Sequence, residues 1–350
     1  MICEGLPRER FAHLPTPLER APRLSQALGV NLLVKREDLT GLCVGGNKTR
    51  LLEFALGSLR NDGVDTLIAY AAEQSNKLRD IAAAAARCGM DAILLIPASQ
   101  KNSAAVPQGN RLLFDVLGAS VREIEPGLGS DAILARQEAI RDELAAAGRT
   151  AAILDRHLDY GIDATVAYVD AAEELHGQLQ ALGESPAAVF IAAGAGMTAG
   201  GLALGLKHLG APTRVVGVSS ASAASVLLPA IEWQAARAAE RLGLLTRLAA
   251  RDLTIVDDYI GAGYGTLTPR AAETIRLFAR LHGMVVDPVY NANVVLAIRD
   301  HAASGKIPRG ATVVYVNTGG GPAIFNYSAE LAGGLPAGSV MTGAAVRKSA

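Results

Sequence analysis

The chain has 350 residues, of which 50% are hydrophobic, and its formal net charge is −1. This length exceeds the usual size of one domain, so it predicts either two lobes or one large α/β domain. A charge near zero argues against nucleic acid and acidic membranes as partners, and three cysteines without C-x-x-C spacing argue against disulfides or zinc.

From the N-terminus onward, strand-like and helix-like segments alternate. The first ten residues lack the apolar stretch of a signal peptide, and no run of 18 apolar residues follows, so we expect a cytoplasmic protein without a membrane partner. Apolar strands are predicted at VDTLIAYAAE, DAILLIP, AAVFIAAG, RVVGVSS and ATVVYV. Strands without polar alternation are covered on both faces, which predicts parallel α/β layers. Because no linker separates two lobes, any second domain is expected to be an insertion.

The segment GLCVGGNKTRLLEF, residues 41–54, places two glycines and an asparagine before Lys48. An amphipathic helix is predicted to begin at Thr49. The positive end of a helix disfavours an ammonium group, and a neutral amine is what Schiff-base chemistry requires. Lys48 is therefore a candidate reactive lysine, with a solvated lysine at a helix start as the alternative.

The segment EQSNKLRD, residues 73–80, follows a predicted strand and precedes a helix. Ser75 and Asn76 are typical N-cap residues, and the same geometry would let them bind an α-carboxylate together with the amides of the helix start. Lys77 follows in the first turn, where a cation costs roughly 0.3–1 kcal/mol. We expect Lys77 to lie either in solvent or beside a second anionic group of a substrate.

The segment AAGAGMTAGGLALG predicts another strand, glycine turn and helix. Residues 194–199 match G-x-G-x-x-A, but a dinucleotide site also requires an acidic residue at the end of the next strand. That strand ends in Ser219 and Ser220, so a dinucleotide is excluded. A small phosphate held by the turn amides and the Thr198 hydroxyl remains, beside the alternative of a tight turn without a ligand.

Two tyrosines, Tyr264 and Tyr290, lie in predicted loops next to glycine or proline. A single tyrosine usually packs as an amphipathic side chain, but two in such loops are compatible with proton transfer. The six histidines show no metal-ligand spacing, and the H-E-x-x-H and P-loop signatures are absent, so we expect no metal.

In order, GGNKTR, QSN, QGN, AYVDAAEEL, GAGMTAGGL, GYG, DPVY and NTGGGPAIF resemble the D-cysteine desulfhydrase and 1-aminocyclopropane-1-carboxylate deaminase family. The resemblance runs from about Leu14 to Tyr327. It implies a fold type II enzyme dependent on pyridoxal 5′-phosphate, with an α/β fold of two open, twisted parallel-sheet lobes and helices on both faces. Residues 1–49 and 159–350 would form the large cofactor-binding domain, and residues 50–158 a small inserted domain. The family usually forms homodimers.

The resemblance also implies catalytic roles. Lys48 would form the Schiff base with the cofactor and move the α-proton of a small amino-acid substrate. Ser75 would assist proton transfer and contact the substrate carboxylate, beside Asn76 and Lys77. Tyr264 and Tyr290 would line the substrate side as proton donors or positioning groups.

For the cofactor, the resemblance implies that Asn76 lies beside its phenolic oxygen and that Thr318 faces its pyridine nitrogen. The phosphate would be held by the glycine turn, which consists of Gly194, Ala195, Gly196, Met197 and Thr198.

Several positions depart from the family pattern. They are Leu51, where a second lysine is common, Lys77, where histidine or glutamine is usual, Ala195 in place of serine, Tyr160–Asp163 in place of G-G-S, and Asn291–Asn293 after DPVY. The reactive lysine is kept while the substrate side has changed.

We therefore expect β-elimination from a small amino acid, giving pyruvate and ammonia from a D-cysteine-like substrate. In the family, ring opening goes with glutamate at position 291 and leucine at position 318, whereas this chain has Asn291 and Thr318. The alternatives are elimination of sulfite from an anionic amino acid such as cysteate, deamination of the cyclopropane amino acid, and a ligand-binding or regulatory protein without turnover.

Overall fold

The structure is a computed structural model that describes residues 2–98, 106–249 and 251–332. Within these ranges the chain forms ten strands: β1 (Leu18–Arg20), β2 (Asn31–Lys35), β3 (Thr66–Tyr70), β4 (Asp91–Pro97), β5 (Ser120–Ile124), β6 (Ala151–Ile153), β7 (Ala188–Ala193), β8 (Arg214–Ser219), β9 (Leu253–Val256) and β10 (Thr312–Val316).

The same ranges contain eleven α-helices: α1 (Pro22–Leu28), α2 (Lys48–Asn61), α3 (Asn76–Cys88), α4 (Gly109–Val116), α5 (Ser130–Ala146), α6 (Asp159–Leu182), α7 (Met197–His208), α8 (Ala224–Arg241), α9 (Pro269–His282), α10 (Asn291–Ala303) and α11 (Ser328–Ala332). Two short 3-10 helices, Glu37–Leu39 and Gly321–Tyr327, are also present. None of the helices described is long and apolar enough to cross a membrane.

The larger sheet has six strands in the order β1-β2-β10-β7-β8-β9. Its strands are parallel except for β1, which pairs antiparallel with β2 at the sheet edge. Strand β2 comes from the N-terminal part of the chain and lies beside β10. Segments that are far apart in sequence therefore build one sheet. The antiparallel edge strand was not predicted from the sequence.

The smaller sheet has four parallel strands in the order β5-β4-β3-β6, all from residues 66–153. The chain forms this sheet between two strands of the larger one, as an inserted lobe would. The exact domain boundaries at residues 50 and 158 stay a prediction, and residues 333–350 of the predicted large domain lie outside the described residues.

Strand β7 is apolar throughout because both of its faces are buried in the larger sheet. Its side chains at 189, 191 and 193 belong to the core that contains α2, α6, α7 and α8, whereas those at 188, 190 and 192 belong to the core that contains α1, α9 and α10. Both faces of the sheet are thus covered by helices, which confirms the predicted α/β architecture.

The start of α2 is anchored to the larger lobe by a buried ion-pair network. Arg50, in the first turn, donates to Glu37 at 2.7 and 2.9 Å and to Glu174 at 2.9 and 3.0 Å. Burial opposes ionisation of Glu37, but Arg50 beside it lowers the pKa of this carboxyl to about 2. Because removing one partner of such a pair leaves an uncompensated buried charge, the network holds this end of α2 in place.

Candidate active site

The glycine loop before Lys48 folds in a way that only glycine allows. Gly45 and Gly46 have φ angles of 73° and 127°, and a Cβ on Gly45 would lie 2.0 Å from the Asp38 carbonyl oxygen. Helix α2 begins at Lys48 itself, one residue before the predicted start. The loop therefore presents Lys48 at the first position of a helix.

The Lys48 amine is half-buried, and its Nζ donates to Asn47 Oδ1 at 3.3 Å. Burial lowers its pKa to about 8, against the opposing effect of Asp80, and the charges of Lys77 and Arg79 lower it further. The direction agrees with the predicted neutral amine, although burial is the main cause. With this pKa, about one amine in ten is neutral at pH 7.

Asn47 connects three segments of the site. Its Nδ2 donates to Thr198 Oγ1 at 3.1 Å, its backbone N–H donates to the Thr318 carbonyl oxygen at 3.0 Å, and its Oδ1 accepts from Lys48. The reactive lysine, the glycine turn and Thr318 thus lie together, as predicted. Asn47 was not among the predicted site residues, and its only sequence signal is its position directly before Lys48.

The glycine turn leads from β7 into α7, which begins at Met197. The cap residue Gly196 has a φ of 88° and provides no side-chain cap, and the first turn of α7 is buried. Because the first amides of a helix have no intrahelical partner, this buried helix start is suited to an anion.

A side chain at Gly196 has no room. A Cβ there would lie 2.3 Å from Ile231 Cγ1. A bulky substitution would therefore disturb the packing of α8 as well as the turn.

Ser220, which directly follows β8, lies beside this turn. From the sequence alone, this serine only argued against a dinucleotide site. Its side chain is 3% exposed, and within the described residues its Oγ has no hydrogen-bond partner. The hydroxyl lies 3.8 Å from the position that a Cβ on Gly194 would occupy. A buried hydroxyl without a protein partner is unusual, and this one can donate to a group bound at the turn.

Ser75 and Asn76 begin α3 at the carboxyl end of β3. Ser75 is the N-cap and accepts from the Leu78 amide at 3.3 Å, so its structural role is present. Asn76 Oδ1 accepts from Asn110 Nδ2 at 2.7 Å, and Asn76 Nδ2 lies 2.6 Å from where a Cβ on Gly320 would be. Asn76 therefore bridges the start of α3 and the glycines after β10.

Arg79 and Asp80 also belong to the site but were not predicted. Arg79 is fully buried and donates to the Gly45 carbonyl oxygen at 2.7 Å, to Asn110 Oδ1 at 3.1 Å and to Asp80 Oδ1 at 2.8 Å. It ties the glycine loop before Lys48 to α3 and α4. Burial raises the pKa of Asp80 to about 6, against the opposing effect of Arg79.

Thr318 is held by Asn291 in a buried network. Asn291 Oδ1 accepts from the Thr318 amide at 3.0 Å and from Thr318 Oγ1 at 3.2 Å. Asn291 Nδ2 donates to Asp287 Oδ1 at 2.6 Å and to the Gly319 carbonyl oxygen at 2.8 Å. These two acceptors fix the orientation of the amide, so its oxygen faces Thr318.

Tyr264 and Tyr290, the two tyrosines predicted to line the substrate side, lie next to each other. Their hydroxyl oxygens are 2.7 Å apart, and Tyr290 Cε1 lies 3.2 Å from the position of a Cβ on Gly194. Burial raises the pKa of both phenols, and for Tyr290 the neighbouring Tyr264 adds to the effect. Both hydroxyls therefore keep their protons at neutral pH and can donate them.

Comparison with known proteins identifies the family of the chain. Residues 10–319 match the family described as pyridoxal-phosphate dependent enzyme. The chain belongs to this family.

Two relatives refine the assignment. The enzyme is 33% identical over 324 residues to D-cysteine desulfhydrase of Salmonella typhimurium strain LT2, an alignment that covers 92% of this chain and 96% of that protein. The crystal structure of an ACC deaminase homologue superposes with a TM-score of 0.85 and 30% identity, covering 95% of this chain and 97% of that one.

A third structure, the processed threonine deaminase isoform 2 of Solanum lycopersicum, shares 20% identity and a TM-score of 0.62 over 92% of this chain and 84% of that one. At this identity it supports the fold alone. Together the matches confirm the predicted family resemblance, fold type II, an enzyme of the lyase or deaminase type, and pyridoxal 5′-phosphate as cofactor.

The residues of the site suit this cofactor. The enzyme presents a half-buried amine with a lowered pKa, a buried helix start for a phosphate, and the unpartnered hydroxyl of Ser220 beside it. Lys48, Thr198 and Thr318 meet through Asn47, while Tyr290 packs at the turn.

Proposed function

We propose that the enzyme catalyses β-elimination from a small D-cysteine-like amino acid. The overall reaction for D-cysteine consumes one water and releases pyruvate, ammonia and hydrogen sulfide. The Cα–H and Cβ–S bonds break, and sulfur leaves with the electron pair of the Cβ–S bond. The similarity to D-cysteine desulfhydrase over nearly the whole chain supports this chemistry.

The choice of β-elimination over ring opening rests on Asn291 and Thr318, which are both uncharged. The Thr318 hydroxyl donates to an amide oxygen whose orientation is fixed by Asp287 and the Gly319 carbonyl. When bound, pyridoxal 5′-phosphate supplies an electron sink for the substrate α-carbon. If Thr318 faced the pyridine nitrogen, no acidic side chain would protonate that nitrogen and the sink would be weaker. It would suffice for a good leaving group but be poor for opening a carbon ring.

We assign Lys48 as the group that accepts the α-proton, because burial lowers the pKa of its amine to about 8 and so raises the fraction that is neutral near physiological pH. Ser75, Asn76 and the amides at the start of α3 hold the substrate carboxylate. Asn76 would also contact the phenolic oxygen of the bound cofactor. The paired hydroxyls of Tyr264 and Tyr290 provide or position protons on the substrate side.

The substrate assignment can be tested with purified enzyme by comparing D-cysteine with 1-aminocyclopropane-1-carboxylate. We expect kcat/KM for D-cysteine to be higher by at least about tenfold, which corresponds to ~1.4 kcal/mol in the barrier. Release of pyruvate and of the four-carbon oxo acid is measured separately. Efficient ring opening, or no elimination from D-cysteine, would contradict the proposal.

For the cofactor phosphate, we propose that the turn from Gly194 to Thr198 binds it and that Ser220 supplies a hydroxyl. The chain has Ala195 where the family pattern has serine, and the unpartnered Ser220 hydroxyl lies beside the same turn. Ser220 would thus replace the contact that Ala195 does not make.

We expect Ser220→Ala to weaken cofactor binding by about 10–100-fold, because a hydrogen bond to a charged group contributes about 1.5–3 kcal/mol. The dissociation constant is measured by titrating apo-protein with pyridoxal 5′-phosphate. Ser219→Ala is the matched control, since the Ser219 hydroxyl already donates to the Ser222 carbonyl oxygen at 2.6 Å. Equal affinity in Ser220→Ala and parent would rule out this contact.

Two other expectations from the sequence stay predictions. We propose a homodimer, on the resemblance to the family, and a cytoplasmic location. Sedimentation of the purified protein tests the first of these.

A further inference from the structure

Lys77 has an environment that a solvated lysine would not have. Its side chain is half-buried, and its Nζ donates only to the Leu154 carbonyl oxygen, at 3.4 Å. Within the described residues, no carboxylate lies within the 4.0 Å of an ion pair. Burial lowers its pKa to about 8, with Asp155 opposing the shift. An ammonium group in this partly buried position would be stabilised by an anion bound beside it.

Tyr160 lies next to this ammonium group. The Lys77 Nζ is 5.9 Å from the centre of the Tyr160 ring. Tyr160 is 3% exposed, and its hydroxyl has no hydrogen-bond partner in the part of the chain that the structure describes. A buried tyrosine hydroxyl usually has such a partner. Two polar groups without adequate partners are therefore adjacent, between the end of β6 and the starts of α3 and α6.

The Lys77–Tyr160 contact lies close to the Lys48 amine. Lys77 follows Ser75 and Asn76 directly, and its charge is one of the causes that lower the pKa of Lys48. Asp80, which acts on the Lys48 amine, also raises the pKa of the Tyr160 phenol together with burial. Lys77 thus directly follows the residues proposed to hold the substrate carboxylate, and its charge acts on the Lys48 amine.

We propose that Lys77 and Tyr160 form a subsite for an anionic group on the substrate side chain. The inference rests on the proposed function, in which Ser75 and Asn76 already take the α-carboxylate. A carboxylate or sulfonate has two or three acceptor oxygens, which match an ammonium and a phenol hydroxyl. The neutral thiol of D-cysteine would gain little binding energy from the Lys77 charge. Among substrates of the proposed elimination, small amino acids with an acidic side chain are therefore expected to bind more tightly than neutral ones.

For a sulfonated amino acid the chemistry balances without another reactant. The Cβ–S bond of cysteate breaks, sulfur leaves with the electron pair as sulfite, and one water is consumed as pyruvate and ammonia form. An acidic amino acid without a leaving group, such as aspartate, would bind in the same place without being eliminated. It can serve as a binding probe.

The test measures binding of aspartate and of alanine, in both enantiomers, through the absorption change of the bound cofactor. The parent should bind aspartate more tightly than alanine. In Lys77→Gln this preference should fall by about tenfold or more, as expected for loss of a charged hydrogen bond. Tyr160→Phe should reduce it less, and Lys306→Gln, at an exposed lysine, should leave it unchanged.

Two results would overturn the subsite: no preference for aspartate in the parent, or an equal loss for aspartate and alanine in Lys77→Gln. The second result would assign Lys77 a purely structural role at Leu154. Release of sulfite from cysteate, compared with sulfide from D-cysteine, distinguishes a sulfonate from a carboxylate as the natural group. If aspartate binding depends on Lys77 but D-cysteine is not eliminated, the proposed function fails and the subsite stands.

Discussion

Replacing Lys48 with alanine is expected to abolish elimination from D-cysteine, with a loss of at least about 10²–10⁴-fold, the contribution typical of a positioned proton-transfer group. The Lys48 amine is held at the start of α2 by the buried Arg50 network and by Asn47. Burial lowers its pKa to about 8, which makes it a competent base. The measurement is pyruvate release, together with the visible absorption of the bound cofactor.

The same variant should keep its fold. Lys48 Nζ makes one hydrogen bond, to Asn47 Oδ1 at 3.3 Å, and removing a poorly solvated ammonium group relieves an unfavourable burial. Thermal unfolding of the apo-protein should therefore occur at or above the parent temperature. Lys306→Ala, at an exposed lysine, is the control for loss of a positive charge. Near-parent turnover in Lys48→Ala would refute the catalytic assignment.

Tyr290→Phe is expected to lower kcat by about 10²-fold, at the lower end of what a proton donor contributes. The Tyr290 hydroxyl lies 2.7 Å from that of Tyr264, and its ring packs against Gly194 at the turn. Phenylalanine keeps this packing and removes only the hydroxyl. Burial and Tyr264 raise the pKa of the Tyr290 phenol well above its ordinary value, so the hydroxyl stays protonated but is a weaker acid, which places the expected effect at this lower end.

Tyr264→Phe is the matched comparison for this prediction. Tyr264 is 45% exposed, so water can replace its hydroxyl and the loss of kcat should be smaller. Steady-state kinetics with D-cysteine and the cofactor absorption spectrum are measured for both variants. A loss in Tyr264→Phe equal to or greater than that in Tyr290→Phe would assign the donor to Tyr264 instead.

The sequence by itself determined the five apolar strands β3, β4, β7, β8 and β10 and the family of the chain. The apolar run of β7 predicted a strand covered on both faces, because each of its residues must pack against a helix layer. The glycines before Lys48 and the turn at 194–198 predicted special backbone positions, and Gly45, Gly46 and Gly196 have positive φ angles. Such signals are local, since backbone conformation and periodicity depend on a few neighbouring residues.

Only the tertiary structure decided which side chains complete the site. Asn47 and Thr198 are 151 residues apart along the chain, and Arg79 reaches the Gly45 carbonyl across 34 residues. The residue pattern of a short segment does not show which distant side chains will form hydrogen bonds. The unpartnered hydroxyls of Ser220 and Tyr160 became informative only when burial removed water as their partner. Hydrogen bonding and charge burial depend on what packs around a group, so these features arise from the assembled fold.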